Sequence, residues 1–260
     1  MALIAEYLLD EGSGTTAGDN QASPVDLSIT SGAWDSIAAG DGYDFNAAGD
    51  AVSGNVASGN KIYDTFNSDA YTVITVLRID DATPASSLWS IREDDFSQSP
   101  VRTRKNDNAS GGGVRWFWTQ ASSWISANSV LPTGNICIMA QVYDSANATG
   151  ADRCRVYPDT DGADFARLTP SSFTEPTSGQ TPDFSTVTNA VLALSQVAGI
   201  AAMSGAIFYW GLWDEALSES TLESYFTSLR ADNDATPSDT PAVVAINLPG
   251  GGDVGRRRFI

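Results

Sequence analysis

The sequence predicts an all-β fold: a jelly-roll sandwich with one short C-terminal helix and an extended tail. Three observations carry this. Short apolar runs separated by Gly, Ser, Asp, Asn and Thr dominate residues 1–214, the pattern of many short strands joined by turns. One of these runs, Tyr71-Thr-Val-Ile-Thr-Val-Leu-Arg-Ile79, is rich in β-branched residues and free of Pro and Gly, as a central strand requires. Only one segment, Ser218 to Arg230, has convincing helical periodicity.

Taken in order, the expected strands are Ala2–Leu9, Val25–Ile29, Tyr43–Phe45, Tyr71–Ile79, Ser87–Arg92, Val114–Trp118, Ile136–Tyr143, Arg153–Tyr157, Ala190–Ser195 and Gly205–Trp213. After the first comes "LLDEGSGTTAGD", a sharp change from apolar to small and polar. A phosphate-cradling loop would need a Lys and a following helix. Neither is present, so the stretch reads as a rim connection. The helix opens on Ser218, a good N-cap, with Glu219 in the first turn where the dipole favours an anion. Leu222, Tyr225, Phe226 and Leu229 fall on one stripe, and Leu217 is placed to staple against Leu222. Arg230 ends the helix, where a cation is favoured. Residues 1–230 are thus expected to form one domain, and residues 231–260 a polar linker and an arm.

Composition excludes several functions. The formal net charge is −18 and the pI about 4.1, which opposes nonspecific binding to nucleic acid or an anionic membrane. The chain has no histidine, which removes Ser-His-Asp and Cys-His catalysis and most zinc sites. An acid or base would have to be a carboxylate, Tyr or Lys. Cys137 and Cys154 flank a hairpin and read either as partners facing each other across two strands or as two reduced buried thiols, the blander reading. The start lacks a basic region and carries Glu6 in its apolar run, so no signal peptide is expected. No apolar run is long enough to insert in a membrane. Synthesis in the cytoplasm is the expectation.

Five stretches carry a family resemblance: "YLLDEGSGTTAGD", "DGYDFNAAGDAV", "AYTVITVLRID", "NICIMAQVYDSANATGADRCRVYPDTDG" and "GAIFYWGLWDEALSESTLESYF". In this order, and over about residues 2–230, they resemble the concanavalin A-like, laminin G-type jelly rolls. The tail from Ala231 has no counterpart there. The resemblance implies three kinds of site. Some relatives of this fold are glycoside hydrolases, and the β-glucanase type carries E-x-D-x-x-E on one strand, a spacing suited to a retaining mechanism. This chain lacks it, and "REDDF" (Arg92–Phe96) reads as a solvated acidic turn, so no enzyme activity is expected. Sugar binding needs aromatic faces, and "VRWFWTQASSWIS" offers Trp116, Trp118 and Trp124. The alternation places Trp116 and Trp118 on one face, either open to a glycan or turned into the core. Calcium, bound by rim loops in such relatives, would take Asp19, Asp50 and Asp144. Turn and cap roles are the alternative for these three.

The arm generates the remaining expectation. It combines the apolar Val243, Val244, Ile246 and Leu248 with Arg256, Arg257 and Arg258, a composition suited to docking on a partner by strand addition or by a basic contact. The linker is too polar to join the core, so the arm is expected to be dispensable for folding. An acidic body with such an arm fits a non-enzymatic decoration protein on the virion surface of a tailed bacteriophage. Its partners would be capsid or tail proteins and surface glycans, with a homo-oligomer compatible and with no nucleic acid or membrane insertion. The alternative is a free carbohydrate-binding module, and an enzyme acting on polysaccharide is the third and least favoured reading.

Overall fold

The computed structural model describes residues 2–9, 11, 13–31, 33–37, 40–45, 51–80, 86–93, 100–105, 113–119, 122–126, 130–160, 165–182, 184, 187, 189–195 and 203–233, with backbone alone described at 31, 33–37, 40, 41, 51 and 231–233. The first six strands are β1 (Leu3–Tyr7), β2 (Thr16–Ala17), β3 (Leu27–Ser31), β4 (Ala33–Ile37), β5 (Gly40–Phe45) and β6 (Ala51–Asn55). A helix, α1 (Lys61–Phe66), separates them from β7 (Ala70–Ile79), β8 (Ser87–Glu93), β9 (Val101–Lys105), β10 (Val114–Phe117) and β11 (Ser123–Ser126). Then come β12 (Ile136–Asp144), β13 (Cys154–Asp159), β14 (Pro170–Phe173), β15 (Ala190–Leu194) and β16 (Gly205–Trp213), and last α2 (Glu219–Asn233).

These strands form a two-sheet antiparallel sandwich, as the strand pattern predicts. The seven-stranded sheet runs β13-β12-β7-β16-β5-β4, with β1 also pairing β16. The nine-stranded sheet runs β14-β11-β10-β9-β8-β15-β6-β3-β2. The inner faces of both meet in one core, where Leu27, Val52, Trp89, Ile91, Val101, Val114, Leu192 and Leu194 of the larger sheet face Val73, Leu77, Met139, Tyr143, Ile207 and Trp210 of the smaller. At the start of β16, Gly205 has φ of 145°, and a Cβ there would lie 2.0 Å from the Arg78 carbonyl oxygen. Only glycine fits.

A second cluster covers the other face of the smaller sheet. Ile74, Val76, Ile138, Ala140, Val142, Tyr157 and Phe208 pack against Leu217, Leu222, Tyr225, Phe226 and Leu229. The predicted stripe of α2 is therefore the buried one. Ser218 Oγ accepts from the Thr221 amide at 3.2 Å, the cap expected at that position. Thr72 holds the turn into the helix: its hydroxyl donates to the Glu215 carbonyl at 2.7 Å and accepts from the Leu217 amide at 3.0 Å. At the other end Arg230 pairs with the buried carboxylate of Asp159 on β13.

The differences from expectation are local. The short helix α1 is capped by Asn60, whose side chain accepts from the Ile62 amide. At six residues it shows too few turns for a periodic pattern to register. The strands β2, β4, β6, β9, β11 and β14 were not among those expected, because they are short or polar. Both cysteines are free and buried. Cys154 lies opposite Tyr143, whereas Cys137 lies six residues earlier on β12, ~20 Å away along an extended strand. The thiols do not face each other.

One polar network crosses the core. Gln141 Oε1 on β12 accepts from Trp89 Nε1 and from Thr103 Oγ1, each at 3.0 Å, and Gln141 Nε2 lies 2.9 Å from the same hydroxyl. Gln141, Thr103 and Trp89 are all fully buried, so these bonds have no water to replace them. Gln141→Leu, close in volume, strands the indole N–H and the hydroxyl. It should cost about 2–4 kcal/mol, the desolvation penalty of two buried polar groups. Urea titration should show a lower midpoint with an unchanged m-value.

Candidate functional site

The site suggested by the tryptophans does not exist on the surface. Trp116 and Trp118 have no exposed area and Trp124 has 1 %. Trp116 lies opposite Trp124 across β10 and β11. It packs edge-on to Tyr71 and Tyr143 at 6.3 Å and to Trp118 at 6.0 Å, and Trp118 in turn meets Phe173 at 5.8 Å. An indole with no exposed face cannot stack on a pyranose ring, so the three tryptophans are core residues. The alternation of β10 then turns Arg115 and Phe117 outward.

That outer face of the nine-stranded sheet has its own order. Strand register aligns Thr16, Ser28, Ser53, Ala193, Ser90, Arg102, Phe117 and Ser123 in one cross-strand row. These side chains are small or hydroxylic until the row reaches β9 and β10. There Arg102 lies opposite Phe117, and Arg104 lies opposite Arg115. The guanidinium carbons of Arg102, Arg115 and Arg104 stand 4.0, 4.5 and 5.1 Å from the Phe117 ring centroid. Such cation–π contacts contribute about 0.5–2 kcal/mol each. Phe117 is buried beneath them, while all three arginines keep part of their surface in solvent. Burial, followed by the neighbouring charges of Arg104 and Arg115, pushes the Arg102 guanidinium down to about 10. It remains a cation at neutral pH. Chemically, the site presents three partly exposed guanidinium groups, while the neighbouring members of the row, Ser90, Ala193 and Ser123, are buried.

Of the four arginine-site residues, Arg115 and Phe117 were seen in the sequence only as the obverse of the tryptophans. Arg102 and Arg104 were missed. The signal was present in "VRTRK", where arginines alternate with Val101, Thr103 and Lys105, but so polar a run does not read as a strand.

Asp19 and Asp144, proposed as calcium ligands, are each committed to other contacts. Asp19 is a structural keystone. Its fully buried carboxylate accepts from the amides of Glu6 and Gln21 at 3.0 Å and of Val25 at 3.1 Å, and pairs with Lys61 Nζ at 2.7 Å. Oxygens surrounded by N–H donors and an ammonium repel a further cation. Asp144 closes a local turn instead, accepting from Asn147 Nδ2 at 3.1 Å. Asp50 lies outside the described residues. Among the described residues no group of three His, Cys, Asp or Glu is placed to hold a metal, and no helix is long and apolar enough to cross a membrane. The docking residues Val243, Val244, Ile246, Leu248, Arg256, Arg257 and Arg258 also lie outside the described residues.

No family model matches the chain, and no curated protein matches it. Solved structures do. A Trypanosoma rangeli sialidase, determined in complex with sialic acid, aligns with a TM-score of 0.61 at 16% identity over 90% of this chain. This chain spans only 34% of that sialidase. Domain 4 of AbnA, a GH43 extracellular arabinanase from Geobacillus stearothermophilus, was determined in complex with arabinotriose. It aligns with a TM-score of 0.54 at 15% identity, over 84% of this chain and 95% of that domain. A structure from work on botulinum neurotoxin type C, whose cell entry depends on two ganglioside molecules, aligns with a TM-score of 0.58 at 10% identity, over 87% of this chain and 51% of that chain. At these identities the likeness shows the fold, an all-β sandwich.

These findings overturn the expectation of a bacteriophage decoration protein. The aligned proteins named above are a sialidase, an arabinanase domain and a ganglioside-dependent toxin, and none of these is a capsid or tail protein. The virion reading came from the arm and from analogy, and neither finds support in the described structure.

Core placement of the tryptophans has a measurable consequence. Trp116→Ala should destabilise the fold by about 3–5 kcal/mol, the range for truncating a buried Trp. Chemical denaturation measures this directly. A variant as stable as the parent would return Trp116 to the surface.

Proposed function

We propose that this chain is a non-enzymatic carbohydrate-binding module of the concanavalin A-like, laminin G-like type, with its ligand on the outer face of the nine-stranded sheet. One observation carries the reading. The central strands of the seven-stranded sheet are buried on both sides, whereas the nine-stranded sheet holds Arg102, Arg104 and Arg115 partly exposed and fixed by strand register. A glycan site needs such fixed polar groups, because sugar hydroxyls are recognised by directional hydrogen bonds. Support also comes from the arabinanase domain, whose extent this chain nearly matches and which is known in complex with arabinotriose. Glycoside hydrolysis ordinarily requires two carboxyl groups set about 5–10 Å apart across the scissile bond. The described part of this face presents guanidinium groups, and a binding role requires no carboxyl pair.

The test is a glycan microarray followed by calorimetry on each hit, with reducing-end assays alongside. Saturable binding without product release is expected. Absence of binding to every glycan on a broad panel overturns the reading. So does product formation that survives repurification.

A further inference from the structure

We infer that the core between the two sheets binds ordered water, held by Tyr71 and Trp116 at one point and by Thr75 and Trp210 at another. The inference is independent of the carbohydrate reading above and concerns the interior of the sandwich.

The ground for it is a set of buried donors. Tyr71 Oη, Thr75 Oγ1 and the indole Nε1 atoms of Trp116, Trp118 and Trp210 are buried and have no hydrogen-bond partner among the described residues. Other buried groups of the same kinds are satisfied. Trp89 Nε1 donates to Gln141, Trp213 Nε1 to Tyr225, the Tyr7 hydroxyl to the Val25 carbonyl and the Tyr143 hydroxyl to the Gln180 carbonyl. The unpartnered groups are neighbours. Phe66 packs on Tyr71 at 4.9 Å and on Trp210 at 6.4 Å, Tyr71 meets Trp116 at 6.3 Å, and Trp116 meets Trp118 at 6.0 Å. Thr75 lies directly opposite Trp210 in register on β7 and β16, which sets their Cβ atoms about 5 Å apart. Burial pushes the Tyr71 phenol well up, and the nearby Trp116 N–H acts the other way. Even so, Trp116 Nε1 and Tyr71 Oη make no hydrogen bond with each other.

A close approach that stops short of a hydrogen bond is the geometry a bridging molecule needs. A buried N–H or O–H left unmade forfeits its hydration without return, and buried polar groups in folded proteins are satisfied by protein or by ordered water. Donors gathered around one set of rings can share such a partner, which scattered donors could not. Water has the right chemistry. An indole only donates, whereas a hydroxyl donates and accepts. One water can therefore accept from Trp116 Nε1 and donate to Tyr71 Oη, and another can do the same between Trp210 and Thr75. Internal waters typically make about three such bonds. An anion fits less well, because the rings that surround these donors carry no charge to compensate its burial.

The experiment removes one hydroxyl at a time from the full chain. Tyr71→Phe and Thr75→Val keep the shape of the side chain and delete a group that would hold the water. With water bound, each deletion loses hydrogen bonds, and the urea midpoint should fall with an unchanged m-value. If the hydroxyls are dry, deletion relieves an unsatisfied polar group. The midpoint would then hold or rise, and the inference is overturned. A crystal structure of the parent chain decides independently, and still decides if a variant fails to fold. Ordered density is expected within about 3 Å of both Tyr71 Oη and Trp116 Nε1, and of both Thr75 Oγ1 and Trp210 Nε1. Lack of that density, at a resolution that orders other buried waters, overturns the inference. So does a direct hydrogen bond from Trp116 to Tyr71.

Discussion

The seven-stranded sheet is buried on both faces, by the larger sheet on one side and by α2 on the other, and most of what is distinctive about this molecule follows from that. Strands β12, β7 and β16 supply apolar residues to the inner core and again to the cluster under the helix. Such strands must read as nearly continuous apolar runs, as Ile136–Asp144 and Gly205–Trp213 do. They have no side left for polar chemistry. In the nine-stranded sheet β8 and β15 are likewise buried at every residue, whereas β9 and β10 turn Arg102, Arg104 and Arg115 to a partly exposed outer face.

Several buried polar groups link elements within this apolar interior. Gln141 links the sheets through Trp89 and Thr103. Asp19 gathers β1, the rim loop and α1 around one carboxylate. Arg230 and Asp159 fasten the far end of α2 to an edge strand. Each bond joins elements distant in the chain, so apolar packing supplies the bulk of the cohesion and these contacts fix how the layers register. The glycine-rich stretch near the N-terminus is explained by the same economy: it lets the chain turn so that Asp19 returns under β1.

The large features were legible in the sequence because they rest on periodicity. The central strand β7, the hairpin of β12 and β13, and the cap, staple and stripe of α2 all have patterns long enough to read. The site was less legible for a physical reason. Alternation at Trp116 and Trp118 shows that two indoles share a face but not which face, since a one-residue shift exchanges inside for outside. The decision lies in partners far away in sequence, Tyr71 and Tyr143 for the indoles and β9 for the arginines. Asp19 was singled out as a calcium ligand, with a turn or cap role as the alternative. The role is that of an acceptor for N–H groups, which only the folded rim could reveal.

Aromatic residues suggest sugar binding because they are effective at it, yet the same bulk makes them the preferred filling of a large sandwich. Here the core claims them: stacked or edge-on contacts link Trp116, Trp118, Tyr71, Tyr143 and Phe173 in one chain of rings. Once the indoles are committed inside, the outer face of β9 and β10 is left with what alternates against them, namely arginine and a single phenylalanine. Which side chains that face presents therefore follows from which face of β10 packs inward, and fold likeness does not predict it, since it depends on particular side chains at particular registers.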